Sequence, residues 1–145
     1  MGGKPKKVFI NPKKKDGTKR IVVSLNRQLL FVYQTGEAIV TFDCVSGDKD
    51  HATPPGHYTV IRKANPCFST EFKVPMDHAL FFTNRGHAIH QSHVVGPLSY
   101  LKYVGIESIG SHGCVRLAEE DATWLFNWAD VGTPIWIRDD TTITA

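Results

Sequence analysis

The sequence predicts a mainly β domain with one α-helix, and three observations support this prediction. The chain has 145 residues, the length of one ordinary domain. From Arg20 onward, β-branched and aromatic residues alternate with polar ones in short pieces bounded by Gly, Pro, Asn and Asp, as they do in strands. One later stretch instead repeats apolar residues at helical spacing. We therefore expect short strands around a single core, with one helix near the carboxyl end.

The strands are expected in quick succession, because each alternating piece ends at a turn signal. Asn26-Arg27 is predicted as a two-residue hairpin turn between the first two strands. Thr53-Pro54-Pro55-Gly56 is predicted as a rigid corner, since two prolines fix φ and the glycine after them can adopt backbone angles that other residues disfavour. Met76 lies in an apolar stretch that we expect to line a groove. The predicted strands are residues 21–25, 28–33, 38–45, 57–62, 79–83, 87–91 and 135–138.

The predicted helix begins near Ala118. Acidic residues occupy positions 119–121, where the positive end of the helix dipole favours them. Gly132 and Pro134 end the helix. Its apolar face recurs at i, i+3, i+4 and i+7 and consists of Ala122, Leu125, Phe126 and Ala129.

Charge is distributed unevenly along the chain. Residues 1–20 hold seven Lys and one Arg against a single Asp, whereas the rest of the chain has more acidic than basic residues. We expect residues 1–19 to form a basic, flexible arm, residues 20–140 the domain, and residues 141–145 a tail. The arm is either solvated or a contact for an anionic polymer or lipid. Nucleic-acid binding is not expected, because Phe9 is the arm's lone aromatic residue.

The sequence leaves two alternatives for the cellular compartment of the protein. No run of about 18 apolar residues occurs, so no membrane span is expected. The start lacks the apolar stretch of a signal peptide, which leaves a cytoplasmic chain or a removed leader as the two readings. Cys44 and Cys67 either pair in an oxidising compartment or stay reduced, Cys44 then being a small buried hydrophobe.

The remaining cysteine lies in Ser111-His112-Gly113-Cys114, which predicts a catalytic nucleophile. Ser, His and Gly together weaken a strand, so this string has no simple structural explanation. A thiol is largely protonated at neutral pH and needs a base. His112 lies two residues away, on the same face of an extended segment. His90 ends its own strand-like run and would reach Cys114 from a neighbouring strand. The residues alone leave both histidines as candidates for the base.

Two further residues beside Cys114 suit acyl transfer. Gly113 permits a close backbone approach, which suits an oxyanion hole of main-chain N–H groups around residues 112–114. Arg116 would share the face of Cys114 if the strand continues, and a guanidinium there would bind a substrate carboxylate well.

A zinc site is the chemical rival, since imidazole and thiolate both bind zinc. Three of the histidines are spaced three apart in a stretch that reads as strand and loop, where odd spacing points side chains to opposite faces. We therefore expect no metal. The candidate zinc ligands are His87, His90, His93, His112 and Cys114.

These motifs resemble the catalytic domain of the L,D-transpeptidases, the YkuD family of cell-wall enzymes. The likeness rests on Ile89-His90 and on residues 111–117, Ser-His-Gly-Cys-Val-Arg-Leu. Val45-Ser46-Gly47, residues 53–58 and residues 132–137 support it, so that it extends over residues 20–138. The resemblance implies a mixed, mostly β-sheet or sandwich fold, with the nucleophile in a groove under a flap.

The resemblance also implies roles. Cys114 matches the nucleophile and His90 the general base, which decides between the two histidines. His112 and Gly113 match the residues that shape the oxyanion hole, and Arg116 matches the polar position two after the nucleophile. A backbone carbonyl is expected to orient the base.

Two departures from the family pattern affect substrate contacts. The 23 residues between His90 and Cys114 make a longer segment than many relatives have, and residues 97–103 predict an enlarged flap. Gln91 stands where relatives often have a small residue after the histidine. The further candidates for substrate binding are Ser111, Gln91, Met76 and Tyr100.

A family member attacks meso-diaminopimelate at position 3 of a peptidoglycan tetrapeptide stem and expels the terminal D-Ala. The acyl group then passes to another stem, forming a 3→3 cross-link, or to a free D-amino acid; water as acceptor gives L,D-carboxypeptidase activity. The resemblance thus implies stem peptides as partners, binding of carbapenem-type inhibitors, no cofactor, a monomer, and a role in the periplasm or cell envelope that affects cell shape. Two other hypotheses are an antibacterial effector exported to a target cell, and a non-catalytic wall-binding module.

Overall fold

The computed structural model describes residues 18–69, 74–106, 110 and 113–139, except the side chains of Ser69 and Val74. The described chain forms strands with two helices among them. In chain order the elements are β1 (Lys19–Ser24), β2 (Leu29–Gln34), β3 (Glu37–Asp43), β4 (Gly56–Thr59), β5 (Arg62–Ala64), β6 (Phe68–Ser69), β7 (Val74–Pro75), β8 (Ala79–Phe81), β9 (Ala88–Gln91), α1 (Val95–Tyr103), β10 (Val115–Leu117), α2 (Glu119–Trp128) and β11 (Pro134–Arg138).

The strands form two main sheets and one short hairpin. The five-stranded sheet has the order β3-β2-β1-β11-β4, and the four-stranded sheet has the order β10-β9-β8-β5. Strands β6 and β7 form a two-stranded sheet. Two pairs are parallel: β1 with β11, and β9 with β10. The remaining pairs are antiparallel. The predicted mainly β fold class is confirmed.

The larger core lies between the two main sheets and α2. Side chains from alternate positions of β1, β2 and β11 meet those from the four-stranded sheet, as the period of two along a strand requires. Helix α2 adds Ala122 and Leu125, and Ala129 follows its end, as the apolar spacing predicted. The acidic first turn is also as predicted. The central members of this core are Ile21, Val23, Leu30, Val32, Leu80, Ile89, Val115, Leu117 and Ile135.

The prediction of a single helix is wrong, because α1 occupies part of the segment between His90 and Cys114. Pro97 falls in its first turn, where a missing N–H breaks no helical hydrogen bond. Only Val95 and Ser99 are buried among its residues, so the sequence carries no apolar stripe that would signal a helix. A buried hydrogen bond from Ser99 Oγ to the Gln28 carbonyl, 3.2 Å long, attaches α1 to the rest of the domain.

The prediction of one strand over residues 57–62 is also wrong, because the chain changes sheets there. Strand β4 pairs with β11, whereas β5 pairs with β8. Val60 still exchanges backbone hydrogen bonds with the turn at residues 132–133, and Ile61 N–H already donates to the Phe81 carbonyl at 2.8 Å. The alternation of apolar and polar residues over 57–62 continues without a break, although the chain passes from one sheet to the other there. The point of passage is determined by the partner strands, β11 for β4 and β8 for β5.

The first hairpin has a longer connection than the two-residue turn predicted, since residues 25–28 all lie outside β1 and β2. Gln28 takes a φ of 54° and turns its side chain inward, where it is 1% exposed. Its amide donates to the Leu25 carbonyl at 2.7 Å and to Ser46 Oγ at 2.9 Å, and accepts from Ser46 N–H at 2.9 Å. This side chain ties the hairpin to the loop that follows β3.

Candidate functional site

The centre of the candidate site is built by the parallel pair of β9 and β10. In its register Arg116 lies opposite His90, and Cys114 lies two residues before Arg116. Side chains two apart on an extended chain share a face. Cys114 belongs to the same cluster of buried side chains as Ala88, which lies two residues before His90. The thiol, the imidazole and the guanidinium therefore lie on one face of two neighbouring strands.

The Cys114 thiol is almost completely enclosed, with 6% of the residue exposed. Its Sγ donates to the Gly86 carbonyl at 3.7 Å. The side chain belongs to a smaller core cluster with Met76, Ala79, Phe81 and Ala88, against which Cys67 packs. Burial raises the pKa of the thiol, a trend that the Ala88 N–H and the charge of Arg116 oppose. The free site therefore holds a protonated thiol at neutral pH.

His90 is 5% exposed and is oriented by a backbone carbonyl, as expected from the sequence. Its Nδ1 lies 2.7 Å from the Gln91 carbonyl oxygen. Because a carbonyl can only accept, Nδ1 carries the hydrogen, and in the neutral ring Nε2 keeps a lone pair that can take a proton. Burial lowers the pKa of His90 to about 4, and the charge of Arg116 acts in the same direction.

The thiol of Cys114 and the imidazole of His90 are thus both neutral. Burial disfavours both the thiolate and the imidazolium. A neutral imidazole with a free Nε2 lone pair is the form that acts as a general base, so proton transfer from sulfur can accompany nucleophilic attack.

The low pKa of His90 predicts a pH-dependent stability. Above the ordinary pKa of 6.5 both folded and unfolded chains hold a neutral His90. As the pH falls from 6.5 to about 4, only the unfolded chain takes up the proton, so the free energy of unfolding drops. The total loss from this residue is about 3 kcal/mol, and no further loss from it occurs below pH 4.

Urea unfolding of wild type and His90→Gln at pH 7 and pH 4.5 measures this effect. We expect the wild type to lose more stability than the variant on acidification, because all other groups titrate in both proteins. Equal losses in the two proteins would contradict the assigned pKa.

Arg116 is half-buried on the same face. Burial is the main cause that lowers the pKa of its guanidinium, opposed by the nearby Cys114 and Asp48. Its backbone is held on the other side by Val45, with Val45 N–H to Arg116 O at 3.0 Å and Arg116 N–H to Val45 O at 2.9 Å. A partly desolvated cation beside the thiol is suited to a substrate carboxylate.

The residue before Cys114 has to be glycine. Gly113 has a φ of +114°, a conformation that side chains disfavour. A Cβ there would also lie 2.8 Å from Cδ2 of His87. The His87 ring is itself held by Thr83, whose Oγ1 lies 2.7 Å from His87 Nδ1. Burial lowers the pKa of His87, and the charge of Arg85 adds to this effect.

The other predicted site residues are distributed differently. Met76 joins the cluster around the thiol. The Gln91 side chain lies in hydrogen-bond contact with His78 Nδ1, at 2.6 Å, and as the residue after His90 on β9 it points away from the face of the thiol. Tyr100 lies on α1, which packs against β3. Ser111 and His112 fall outside the described residues.

Several contacts of the site were not anticipated from the sequence. Thr53 donates to the Gly113 carbonyl, and Gly86 accepts from the thiol. In the sequence, Thr53 is recognisable only as part of a rigid turn, and the turn before His87 carries no signal beyond the histidine itself. These partners are 60 and 28 residues from the positions they contact, a separation that local patterns do not encode.

All three cysteines lie in the described part of the chain, and none of them is part of a disulfide. Cys44 belongs to the larger core and Cys67 packs against the smaller one, so the two lie in different clusters. The suggested disulfide is therefore absent from the structure, and the alternative reading of Cys44 as a buried hydrophobe holds.

The described residues contain neither a cluster of metal ligands nor a membrane-spanning helix. Among the described residues, which omit His112, no three His, Cys, Asp or Glu side chains converge as a metal ion would require. Within the same part of the chain, no helix is long and apolar enough to cross a membrane.

Comparisons with known proteins agree with this geometry. The family model of the L,D-transpeptidase catalytic domain, YkuD, matches residues 18–137. A probable L,D-transpeptidase 3 of Mycobacterium tuberculosis (strain ATCC 25618 / H37Rv) is 29% identical over 105 residues, which are 64% of this chain and 36% of the relative. The chain thus corresponds to about a third of that relative's length.

Solved structures give the same result. An L,D-transpeptidase from Stackebrandtia nassauensis has a TM-score of 0.72 and 27% identity, with 90% of this chain and 59% of that chain covered. An L,D-transpeptidase solved in complex with imipenem has a TM-score of 0.74, with 84% and 59% covered. Its identity is 21%, so this second likeness concerns the fold alone. By its fold, and by a family match that extends over nearly the whole described region, the chain belongs to the YkuD family of L,D-transpeptidase catalytic domains.

Proposed function

We propose that this domain is a cysteine-dependent L,D-transpeptidase that acts on peptidoglycan tetrapeptide stems through a thioester. The observation that supports it most is the shared face of Cys114, just before β10, and His90 on the adjacent parallel strand β9, with His90 Nδ1 bound to a carbonyl. A thiol nucleophile beside an oriented neutral imidazole is the arrangement that acyl transfer needs. Because peptidoglycan lies outside the cytoplasmic membrane, the proposed place of action is the periplasm or cell envelope.

The first half-reaction transfers the stem to the enzyme. The Cys114 proton passes to Nε2 of His90 as the sulfur attacks the carbonyl carbon of residue 3 of the stem, and the carbonyl oxygen becomes an oxyanion. The oxyanion then collapses, the bond to D-Ala breaks, and the leaving amine takes the proton from His90. A thioester on Cys114 and free D-Ala result.

The second half-reaction regenerates the thiol. An acceptor amine attacks the thioester carbonyl and gives its proton to His90. Collapse forms the new amide and releases the sulfur, which recovers the proton from the imidazole. A stem amine as acceptor gives a 3→3 cross-link, a D-amino acid gives an exchanged stem, and water gives a tripeptide.

Arg116 is proposed to bind a carboxylate of the stem. It lies opposite His90 and is half-buried, so an anionic ligand there would neutralise a cation that burial has stripped of water. The substrate offers such groups on diaminopimelate and on the terminal D-Ala.

Incubation with purified sacculi, followed by mass analysis of the digested muropeptides, tests this function. We expect loss of tetrapeptides together with 3→3 dimers, exchanged stems or tripeptides, and the product ratio identifies the preferred acceptor. A parallel reaction with added D-methionine should shift products toward exchange if amines compete at one thioester.

Imipenem provides a second probe, since a family member of the same fold was solved in complex with it. We expect a covalent mass increase on Cys114. Unchanged muropeptides together with an unmodified protein under both reagents would overturn the proposal, and sacculus binding without turnover would favour the wall-binding module instead.

A further inference from the structure

A buried hydrogen bond links Thr53 to the residue before the nucleophile. Thr53 is 1% exposed, and its Oγ1 donates to the Gly113 carbonyl at 2.8 Å. The same oxygen accepts from Gly47 N–H at 2.9 Å. The hydroxyl therefore has a backbone donor on one side and a backbone acceptor on the other, and it joins two segments that are distant in sequence.

The loop that carries Thr53 is itself tightly built. A Cβ on Gly47 would collide with the His51 carbonyl, so the loop can close only with glycine at that position. Before it, Val45 exchanges two backbone hydrogen bonds with Arg116. The loop over residues 45–53 thus holds the chain on both sides of Cys114, at Gly113 through Thr53 and at Arg116 through Val45.

The bond to Gly113 determines how the next peptide group points. In a trans peptide the carbonyl and the following N–H point in opposite directions, so anchoring Gly113 O on Thr53 directs the Cys114 N–H away from Thr53. The hydrogen bond also polarises the peptide group, which strengthens its N–H as a donor. Gly113 keeps this peptide orientation at a φ of +114°, which a residue with a side chain would resist.

We propose that Thr53 is a positioning residue for acyl transfer, which orients and polarises the Gly113–Cys114 peptide so that its N–H stabilises the oxyanion formed at the substrate carbonyl. Thr53 touches neither substrate nor thiol in this role. The inference rests on the proposed function, because an oxyanion forms only when Cys114 attacks a carbonyl.

Two reactions of Cys114 separate this role from a structural one. Acylation by imipenem develops an oxyanion, whereas alkylation by iodoacetamide displaces iodide and develops none. In Thr53→Val, which keeps the shape but loses the hydroxyl, we expect imipenem acylation at saturation to fall at least about tenfold, less than the roughly 100- to 1,000-fold cost of deleting a donor. The rate of Cys114 alkylation by iodoacetamide should stay within about twofold of wild type, because this reaction forms no oxyanion for the peptide N–H to stabilise.

Thr53→Ser is the matched control, since it restores the hydroxyl, and we expect it to recover most of the acylation rate. If Thr53→Val fails to fold, Thr53→Ala against Thr53→Ser gives the same comparison. Parallel losses in acylation and alkylation, or wild-type acylation in the variants that lack the hydroxyl, would overturn the role of Thr53. Failure of the wild type to be acylated by any stem or β-lactam would instead overturn the proposed function.

Discussion

Replacement of Cys114 by alanine is expected to remove all covalent chemistry from the domain. The variant should form no adduct with imipenem or with a tetrapeptide donor, and its turnover of stems should fall by about 10⁴-fold or more, as in other enzymes that lose their nucleophile. The fold should survive, because the thiol contributes little to the smaller core beyond contacts that a methyl group partly replaces. Intact-protein mass spectrometry and muropeptide analysis measure the two effects.

Cys67→Ala is the matched control for this experiment. Cys67 packs against the same cluster as Cys114 but is more exposed. If the nucleophile is correctly assigned, the Cys67 variant keeps both the adduct and the turnover. An adduct that persists in Cys114→Ala and disappears in Cys67→Ala would identify Cys67 as the nucleophile and refute the assignment to Cys114.

Replacement of His90 by glutamine should cost about 10²- to 10⁴-fold in kcat, the usual contribution of a general base. Glutamine keeps a donor for the Gln91 carbonyl but cannot accept the thiol proton. Burial of Cys114 increases this loss of kcat, since the raised pKa of the thiol leaves little thiolate to react without a base. Steady-state kinetics with a tetrapeptide donor measure the loss, which should fall on kcat more than on KM.

The pH profile provides an independent check on His90. In the wild type, kcat/KM should stay level on acidification from pH 7 and fall only as the pH approaches the pKa of about 4, because the base is active when neutral. His57→Gln serves as control, since His57 stacks on Trp136 of the five-stranded sheet. An acid limb near pH 6.5 that is unchanged in His90→Gln would contradict the assignment of this base.

Much of the fold could be predicted because it depends on local patterns. The apolar face of α2 and the alternation in β1, β2 and β11 appear in the sequence at the periods that helices and strands impose. Two predictions were wrong, the single helix and the single strand over residues 57–62. Helix α1 is held by a hydrogen bond from Ser99 to Gln28, and the break after β4 is determined by the partner strands. Both depend on residues far along the chain.

The candidate site divides in the same way. Cys114 stood out because glycine and histidine beside a cysteine suit chemistry better than a strand, but the residues alone left two candidates for the base. The structure brings His90 onto the face of Cys114 through the parallel register of β9 and β10. His112 lies outside the described residues, so the role given to it by resemblance stays a prediction, as do the catalytic roles of Cys114 and His90.

The amino-acid sequence was sufficient to predict the fold class and the family and to single out Cys114 as the candidate nucleophile, because each of these depends on neighbouring residues or on short periods. Only the tertiary structure decided the protonation of the site and its support. Burial by distant strands lowers the pKa of His90 and raises that of Cys114, and the carbonyl of Gln91 selects the tautomer. Thr53 meets Gly113 across 60 residues, since desolvation and hydrogen bonding act on groups that are close in space rather than along the chain.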